Sequence, residues 1–423
     1  MPNVELHILQ NFPPANLNRD DTGTPKDCEF GGVRRARISS QCIKRSIRTS
    51  PVFQSAMDHS IGIRSKRTGE HVAGTLHDAH GYSESEAIEL AEAALGEFLS
   101  LSDETDGGFR KTKVLYYAST AELDDLADRL AATELDDAID AAVETRQAVA
   151  DVKADDTALK KDLKAAQKKQ RSARKALKKG VKPIVKAFVK ENVGWARTVD
   201  IALFGRMLAE EPTLNVDGAC QVAHAISTNR VSMEFDFYSA VDDLNPSGET
   251  GAGMIGTTGY NSSCFYRYML IDVDGLARNL SPEADPTETS WQRAADGVDA
   301  FVRAAVAAIP TGKQTSFAAQ ARPQFVLAVV RPNTSMPMSL VNAFEKPARP
   351  VGEQSLLQNS VTKLDDHWAS LTSMYGTEGA DVFLAMLDEA GTVDALESVR
   401  QPSVEDLVQG VTGALADGAG VSA

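Results

Sequence analysis

Asn18-Arg19-Asp20-Asp21-Thr22-Gly23-Thr24-Pro25-Lys26-Asp27-Cys28-Glu29-Phe30-Gly31-Gly32-Val33-Arg34-Arg35-Ala36-Arg37-Ile38-Ser39-Ser40-Gln41-Cys42-Ile43-Lys44-Arg45-Ser46-Ile47-Arg48 is the stretch on which the reading of this chain turns. It holds eight basic residues in a protein of formal net charge −15. A local cationic device in an acidic chain points to a specific anionic partner. Val33 to Ile38 reads as a basic strand after the turn-forming pair Gly31-Gly32, and Ser39-Ser40 then carries a helix N-cap signal. At about 100° per residue, Gln41, Lys44, Arg45 and Arg48 share one helix face, while Ile43 and Ile47 share the opposite one. One side can bury while the other presents cations and an amide. Free N–H groups at the helix N-terminus suit a phosphate, and Gly31-Gly32 would let backbone approach a phosphodiester closely. The charge run alone reads equally well as a solvated face. Glycines, arginines and capping serines together favour nucleic acid.

Working outward, Val4, Leu6 and Ile8 alternate with polar neighbours, so residues 3–10 predict a half-buried strand. Residues 51–110 read as mixed and mostly helical, with Ser83-Glu84 opening an amphipathic run from Ala87 to Leu101. Residues 121–150 form an acidic helical stretch. Residues 158–179 form a basic one with a narrow seam of Leu159, Leu163, Ala166, Ala173 and Leu177. Together they predict a charge-paired antiparallel hairpin, its basic arm ended by Gly180 and Pro183. Contact of Lys160 to Lys182 with nucleic acid is the alternative. Alternation through Val231, Met233, Phe235, Phe237 and Val241 predicts a strand. A glycine-rich tip follows to Gly259, then a second strand, Phe265 to Val273. Residues 290–309 predict a helix capped by Thr289 or Ser290. Gln324 to Val330 predicts a buried strand, and roughly the last seventy residues read as helical and acidic.

At 423 residues, 43% of them hydrophobic, the chain supports two or three units with ample core. Cys28, Cys42, Cys220 and Cys264 show no C-x-x-C spacing, which argues against structural zinc and fits a reducing cytoplasm. No uninterrupted apolar run reaches membrane-spanning length, and residues 1–5 lack signal-peptide features. The acidic balance repels a polyanion at long range, but screening limits that to about 10 Å at 0.1 M salt. Binding therefore has to rest on a concentrated groove.

Several motifs are set aside. Gly251-Ala252-Gly253-Met254-Ile255-Gly256 fits G-x-G-x-x-G, yet it follows a polar loop and opens no helix, so a hairpin tip is the better reading. His71, His77, Asp78 and His80 are irregularly spaced for a metal, and Gly74 and Gly81 suggest a surface loop. His224 reads as a core histidine. No Gly-x-Ser-x-Gly elbow is present. The aromatic RNA-stacking signature of RRM sheets is missing, which favours backbone gripping by cations.

The opening segment resembles the amino-terminal signature of the Cascade backbone subunit (the CasC family) of type I-E CRISPR interference complexes. The residues that carry the likeness are Leu17-Asn18-Arg19-Asp20-Asp21, Lys26-Asp27, Phe30-Gly31-Gly32 and Arg35 through Lys44-Arg45. Further blocks follow in family order: Val199 to Leu203 with Gly205-Arg206-Met207, Val216 to Ala219 with Ala223 to Ile226, Ala240 to Leu244, Phe265 to Tyr268, and Asn342 to Lys346. The resemblance implies an α+β fold with an RRM-like (ferredoxin-like) palm, a large helical fingers insertion and a Gly-rich thumb hairpin. On this chain the palm would be 1–50 plus 195–345, the fingers 51–194, the thumb 236–264 and a helical C-terminal segment 346–423. The basic stretch 153–190 looks longer and more basic than the family's, so no family role is carried into it.

The implied function is a non-enzymatic scaffold that polymerises along CRISPR RNA in the cytoplasm and presents the guide to a target DNA strand for antiviral defence. Its partners would be further copies of itself, the large and small subunits and the RNA-end-binding subunits, with no cofactor, metal or membrane. Arg19, Lys26, Lys44, Arg45 and Arg48 would meet phosphates, and Ser39 and Gln41 would hydrogen-bond backbone oxygens. Met207 with Tyr238 and Ser239 would form the thumb–palm wedge that interrupts pairing. The alternative is a metal-dependent ribonuclease using Asp20, Asp21 or Asp27.

Overall fold

The computed structural model describes residues 2–58, 60–106, 108–154, 160–241, 252–377 and 379–419. The fold is mixed, helices with antiparallel sheet, as the α+β expectation had it. Two compact units form: Met1–His59 with Ala219–Ala277 and Glu288–Ala423, and Ser60–Gly218 with Arg278–Thr287.

The chain opens in the first unit with β1 (Pro2–Ala15), β2 (Asp27–Phe30), β3 (Val33–Ile38), α1 (Ser40–Arg48) and α2 (Pro51–Ala56). The second unit carries β4 (Ile63–Ser65), α3 (Thr68–His80), α4 (Glu84–Leu95), β5 (Leu101–Asp106), β6 (Phe109–Thr112) and β7 (Tyr116–Ala118). It continues with α5 (Thr120–Ala131), α6 (Asp136–Ala154), α7 (Lys160–Glu191) and α8 (Val199–Phe204). The first unit resumes with β8 (Cys220–Val222), β9 (Ala225–Ser227), β10 (Glu234–Val241) and β11 (Ala252–Asp272). Then come α9 (Val273–Leu280), which runs into the second unit, α10 (Glu288–Ala307), α11 (Gln314–Phe317), β12 (Phe325–Pro332), α12 (Leu356–Tyr375), β13 (Asp381–Met386) and α13 (Val404–Ala419).

In the first unit the strands run β13-β12-β1-β11-β9-β3-β2, with β8 and β10 also pairing β11. Strand β1 is central, antiparallel to β11 on one side and β12 on the other. It is therefore buried on both faces, not half-buried: Glu5 and His7 are as inaccessible as Val4 and Ile8. The polar members survive because they are partnered. Glu5 accepts from Arg331, the Tyr268 hydroxyl and the Met338 amide, and His7 meets the Tyr266 hydroxyl. β11 is twice the expected length, because the glycine-bearing residues 252–259 continue the strand opposite β10. The tip residues 242–251 lie outside the described residues. β13 is a strand where only helix was expected; it hydrogen-bonds the β12 edge. α10 starts at Glu288, ahead of the two expected caps.

The second unit is built on α3 to α7 around Leu76, Leu90, Leu126, Leu177, Val181 and Phe188. Ser83 caps α4 in a reciprocal box with Glu86. The histidine segment forms α3 instead of a loop: Gly74 is accommodated and Gly81 is its left-handed C-cap at φ +76°. His71 pairs with Asp124 and His80 with Asp128. Helix α7 does not stop at Gly180 or Pro183, because Val181, Val185 and Phe188 carry the buried seam onward. A Cβ on Gly180 would meet Leu135 at 2.7 Å, so the glycine lets that side chain pack close. Among the described residues, the ion pairs of Arg174, Lys178 and Lys182 run to Glu89, Glu92 and Glu97, on α4 or just beyond it, and not to acidic α6.

Candidate nucleic-acid interface

Ser39 caps α1, its Oγ accepting from the Cys42 amide at 3.4 Å, while its own N–H donates to Asn18 Oδ1 at 2.8 Å. The cap ties the Asn18 loop to the helix. Ile43 and Ile47 are buried, Gln41 and Arg45 are exposed, and Lys44 and Arg48 are half-buried. Lys44 Nζ donates to the Cys220 carbonyl at 3.3 Å. A cleft of about 690 Å3 runs beside the helix, lined by Arg19, Asp20 and Asp21 from the loop, by Arg45 and Ser46, and by residues 307–309, 311 and 312. The structure thus brings Arg19 and Arg45 together. Lys26 stands apart on a smaller crevice with Arg37. Ser39 is nearly inaccessible, and its Oγ serves the cap.

The hairpin leading into α1 spends its cations on architecture. Arg34 pairs with Asp27 at 2.6 Å. Arg37 Nη1 meets His224 Nδ1 at 2.8 Å, which corrects the core reading of that histidine: it is exposed. Arg35 is fully buried and donates to five carbonyls, those of Phe30, Ser227, Thr228, Phe344 and Glu345. Burial pulls its pKa below the ordinary guanidinium value. Gly31 and Gly32 turn the hairpin with φ of +61° and +72°. A Cβ on Gly31 would fall 1.8 Å from the Glu345 carbonyl oxygen, so its freedom serves protein backbone. Nothing in the local sequence separates Arg35 from its neighbours; only the 227–228 and 344–345 segments, distant in sequence, do so.

Two of the three aspartates nominated for a metal, Asp20 and Asp27, are otherwise engaged, while Asp21 lines the cleft. Asp20 Oδ1 accepts from Thr22 N, Thr22 Oγ1 and Thr24 N in a tight turn, which lowers its pKa, the Thr22 hydroxyl leading. Asp27 holds Arg34. Among the described residues no group of three metal-ligating side chains assembles.

Met207 is displayed by its neighbours. Gly205, at φ +80°, packs backbone to backbone against Val216 and Gly218. Arg206 is buried against Glu122 at 2.9 Å and donates to the Leu214 carbonyl at 2.7 Å. Met207 itself is 87% exposed, so it is no core residue. Tyr238 lies in the other unit on β10, opposite Gly256, with its ring where a Cβ there would sit. Ser239 is exposed opposite Ile255. The same β10–β11 face shows exposed Phe235, Phe237 and Ile255, although strand alternation in the sequence reads as burial.

A second cationic surface lies on α7. Lys161, Lys164, Lys168, Arg171, Lys175, Lys179, Lys182, Lys186 and Lys190 are all exposed. At about 100° per residue they fall within roughly a 100° arc, opposite the buried seam.

The sequence profile of the family described as CT1975-like protein matches residues 4–410. Among solved structures, a chain of a "CRISPR RNA-guided surveillance complex, pre-nicking" superimposes with a TM-score of 0.72 at 28% identity, covering 98% of this chain and 100% of that one. A chain of a "CRISPR RNA-guided surveillance complex" does so with a TM-score of 0.64 at 25% identity, covering 97% and 99%. No curated protein matches the sequence. Among the described residues no helix is long and apolar enough to cross a membrane.

Proposed function

We propose, since this chain belongs to the CT1975-like protein family, that it is a non-enzymatic CRISPR RNA-binding scaffold of a type I-E Cascade complex. It polymerises along the guide in the cytoplasm, beside the large, small and RNA-end-binding subunits, and offers the guide to target DNA. In this reading the first unit's sheet is the palm, the helical unit the fingers and the β10–β11 hairpin the thumb. Protein grips phosphate and shape, while base pairing reads sequence. Arg19, Lys26, Lys44, Arg45 and Arg48 meet phosphates, Gln41 assists from the exposed face and Ser39 only as the helix cap, and Met207 with Tyr238 and Ser239 interrupts pairing.

One observation carries the reading: exposed Arg19 and Arg45 converge on an open cleft of about 690 Å3 beside a capped helix, in a chain of net charge −15. The test is RNA binding by Lys44→Ala with Arg45→Ala across a salt series. Each lost phosphate contact should flatten the slope of log K against log salt by about 0.7, whatever the RNA sequence. Unchanged affinity and slope would remove the groove assignment.

A further inference from the structure

Arg35 is the one cation of the opening stretch that no phosphate could reach, since its relative exposure is 0%. Its guanidinium fork is filled from three segments: Nε to Phe30 O at 3.3 Å, Nη1 to Ser227 O at 3.0 Å and Thr228 O at 2.7 Å, Nη2 to Phe344 O at 2.6 Å and Glu345 O at 3.2 Å. The Phe30 ring lies 5.6 Å beneath it. Five carbonyl dipoles aimed at one point demand a planar cation; lysine, a point charge with three donors, does not reproduce the fork.

What the fork joins is specific. Phe30 closes the β2–β3 hairpin. Ser227 ends β9, the strand that pairs β3, and its Oγ accepts from the Ala36 amide at 3.0 Å. Phe344 and Glu345 belong to a distant segment that Gly31 also packs against, at the same Glu345 carbonyl oxygen. β3 then runs directly into Ser39 and α1. The junction thus anchors the strand from which α1, with Lys44 and Arg45, emerges.

We propose that Arg35 is a positioning residue for nucleic-acid binding, fixing the β2–β3 hairpin so that α1 presents its cations in register with successive phosphates. The inference rests on the RNA-binding reading above and deepens it. Arg35 acts through α1 and touches no ligand.

The experiment uses the full-length chain and a labelled synthetic single-stranded RNA, titrated at fixed ionic strength. The set is Arg35→Lys, Gly31→Ala, Lys44→Ala with Arg45→Ala, and Arg35→Lys combined with the latter pair. Circular dichroism and melting temperature are read alongside. Arg35→Lys should weaken RNA binding about tenfold with its helix content intact, and Gly31→Ala, which disturbs the junction at the Glu345 carbonyl, should do likewise. In the combined variant the Arg35→Lys effect should largely vanish, because the contacts it positions are already gone. A merely structural role predicts that the two effects multiply, and that result overturns the proposal, as does wild-type affinity in Arg35→Lys. Wild-type binding by the Lys44/Arg45 variant instead would sink the groove reading, so the two failures are told apart.

Discussion

Two stretches of this chain are strongly basic, and they use their charge in opposite ways. In residues 27–39 the cations are tied to groups of the same chain: Arg34 to Asp27 and Arg37 to His224 at the surface, Arg35 to five carbonyls in the interior. On α7 the cations on the exposed arc stay in water, and among the described residues only Lys182 draws an ion pair, with Glu97 at 3.8 Å. Positive charge in a sequence therefore says little by itself. The hairpin arginines specify geometry, and the α7 lysines specify a field. Beside the hairpin, the exposed Arg19 and Arg45 are the cations that line the open cleft.

The sharpest way to break this contrast is to put a methyl group on one glycine in each region. Gly31→Ala should destabilise the first unit by about 2–3 kcal/mol. Left-handed backbone costs a non-glycine residue roughly 1–2 kcal/mol, and here the new Cβ also strikes backbone, the Glu345 carbonyl oxygen at 1.8 Å. Gly180→Ala on α7 should change stability by no more than about 1 kcal/mol. Its Cβ meets only the far end of Leu135, at 2.7 Å, and alanine gains about 1 kcal/mol of helix propensity. Urea unfolding of the two variants decides it; equal losses would mean that the hairpin frame is no stiffer than the helix.

These cases also mark what could be read in advance. Val33–Ile38 as strand, Ser39 as cap and Ile43 with Ile47 as buried face follow from neighbours within a few residues, and the structure has each of them. The fate of Arg35 depended on carbonyls roughly 190 and 310 residues away, and no local pattern encodes that. α7 passed through two stop signals because its apolar seam outweighed them. β13 was missed because a short edge strand owes its state to β12. In the candidate site, which of the nominated cations share the cleft was not legible.

A smaller effect tests how α7 is anchored. Arg174 reaches Glu89 at 2.7 Å and Glu92 at 3.4 Å, both carboxylates nearly inaccessible. Burial holds the Glu92 carboxyl above the usual carboxylate range, with Arg146 and Arg174 opposing it. Arg174→Ala should cost about 1–2 kcal/mol at neutral pH and push that pKa higher still. A carboxyl whose folded pKa is raised contributes stability at low pH and loses it as pH rises through the folded value. The deficit of Arg174→Ala should therefore shrink on acidification from about pH 7 to about pH 5. Unfolding curves at both pH values check this; a deficit that grows would place the anchoring charge elsewhere.

The smallest effect carries the contrast furthest. Successive members of the α7 stripe stand three or four residues apart, so each faces a like charge. Such pairs destabilise a helix by about 0.2–0.5 kcal/mol each when exposed. Replacing Lys164, Lys168, Arg171 and Lys175 with glutamine should leave the protein equally stable or raise stability by a few tenths of a kcal/mol at low salt. Added salt should close that gap by screening the repulsion in the unaltered chain. The outcome to watch for is the reverse sign. Loss of stability on neutralisation, strongest at low salt, would mean that the stripe is held by carboxylates of this same chain. α7 would then join the hairpin as a region whose charge is architectural, and the two uses of positive charge would collapse into one.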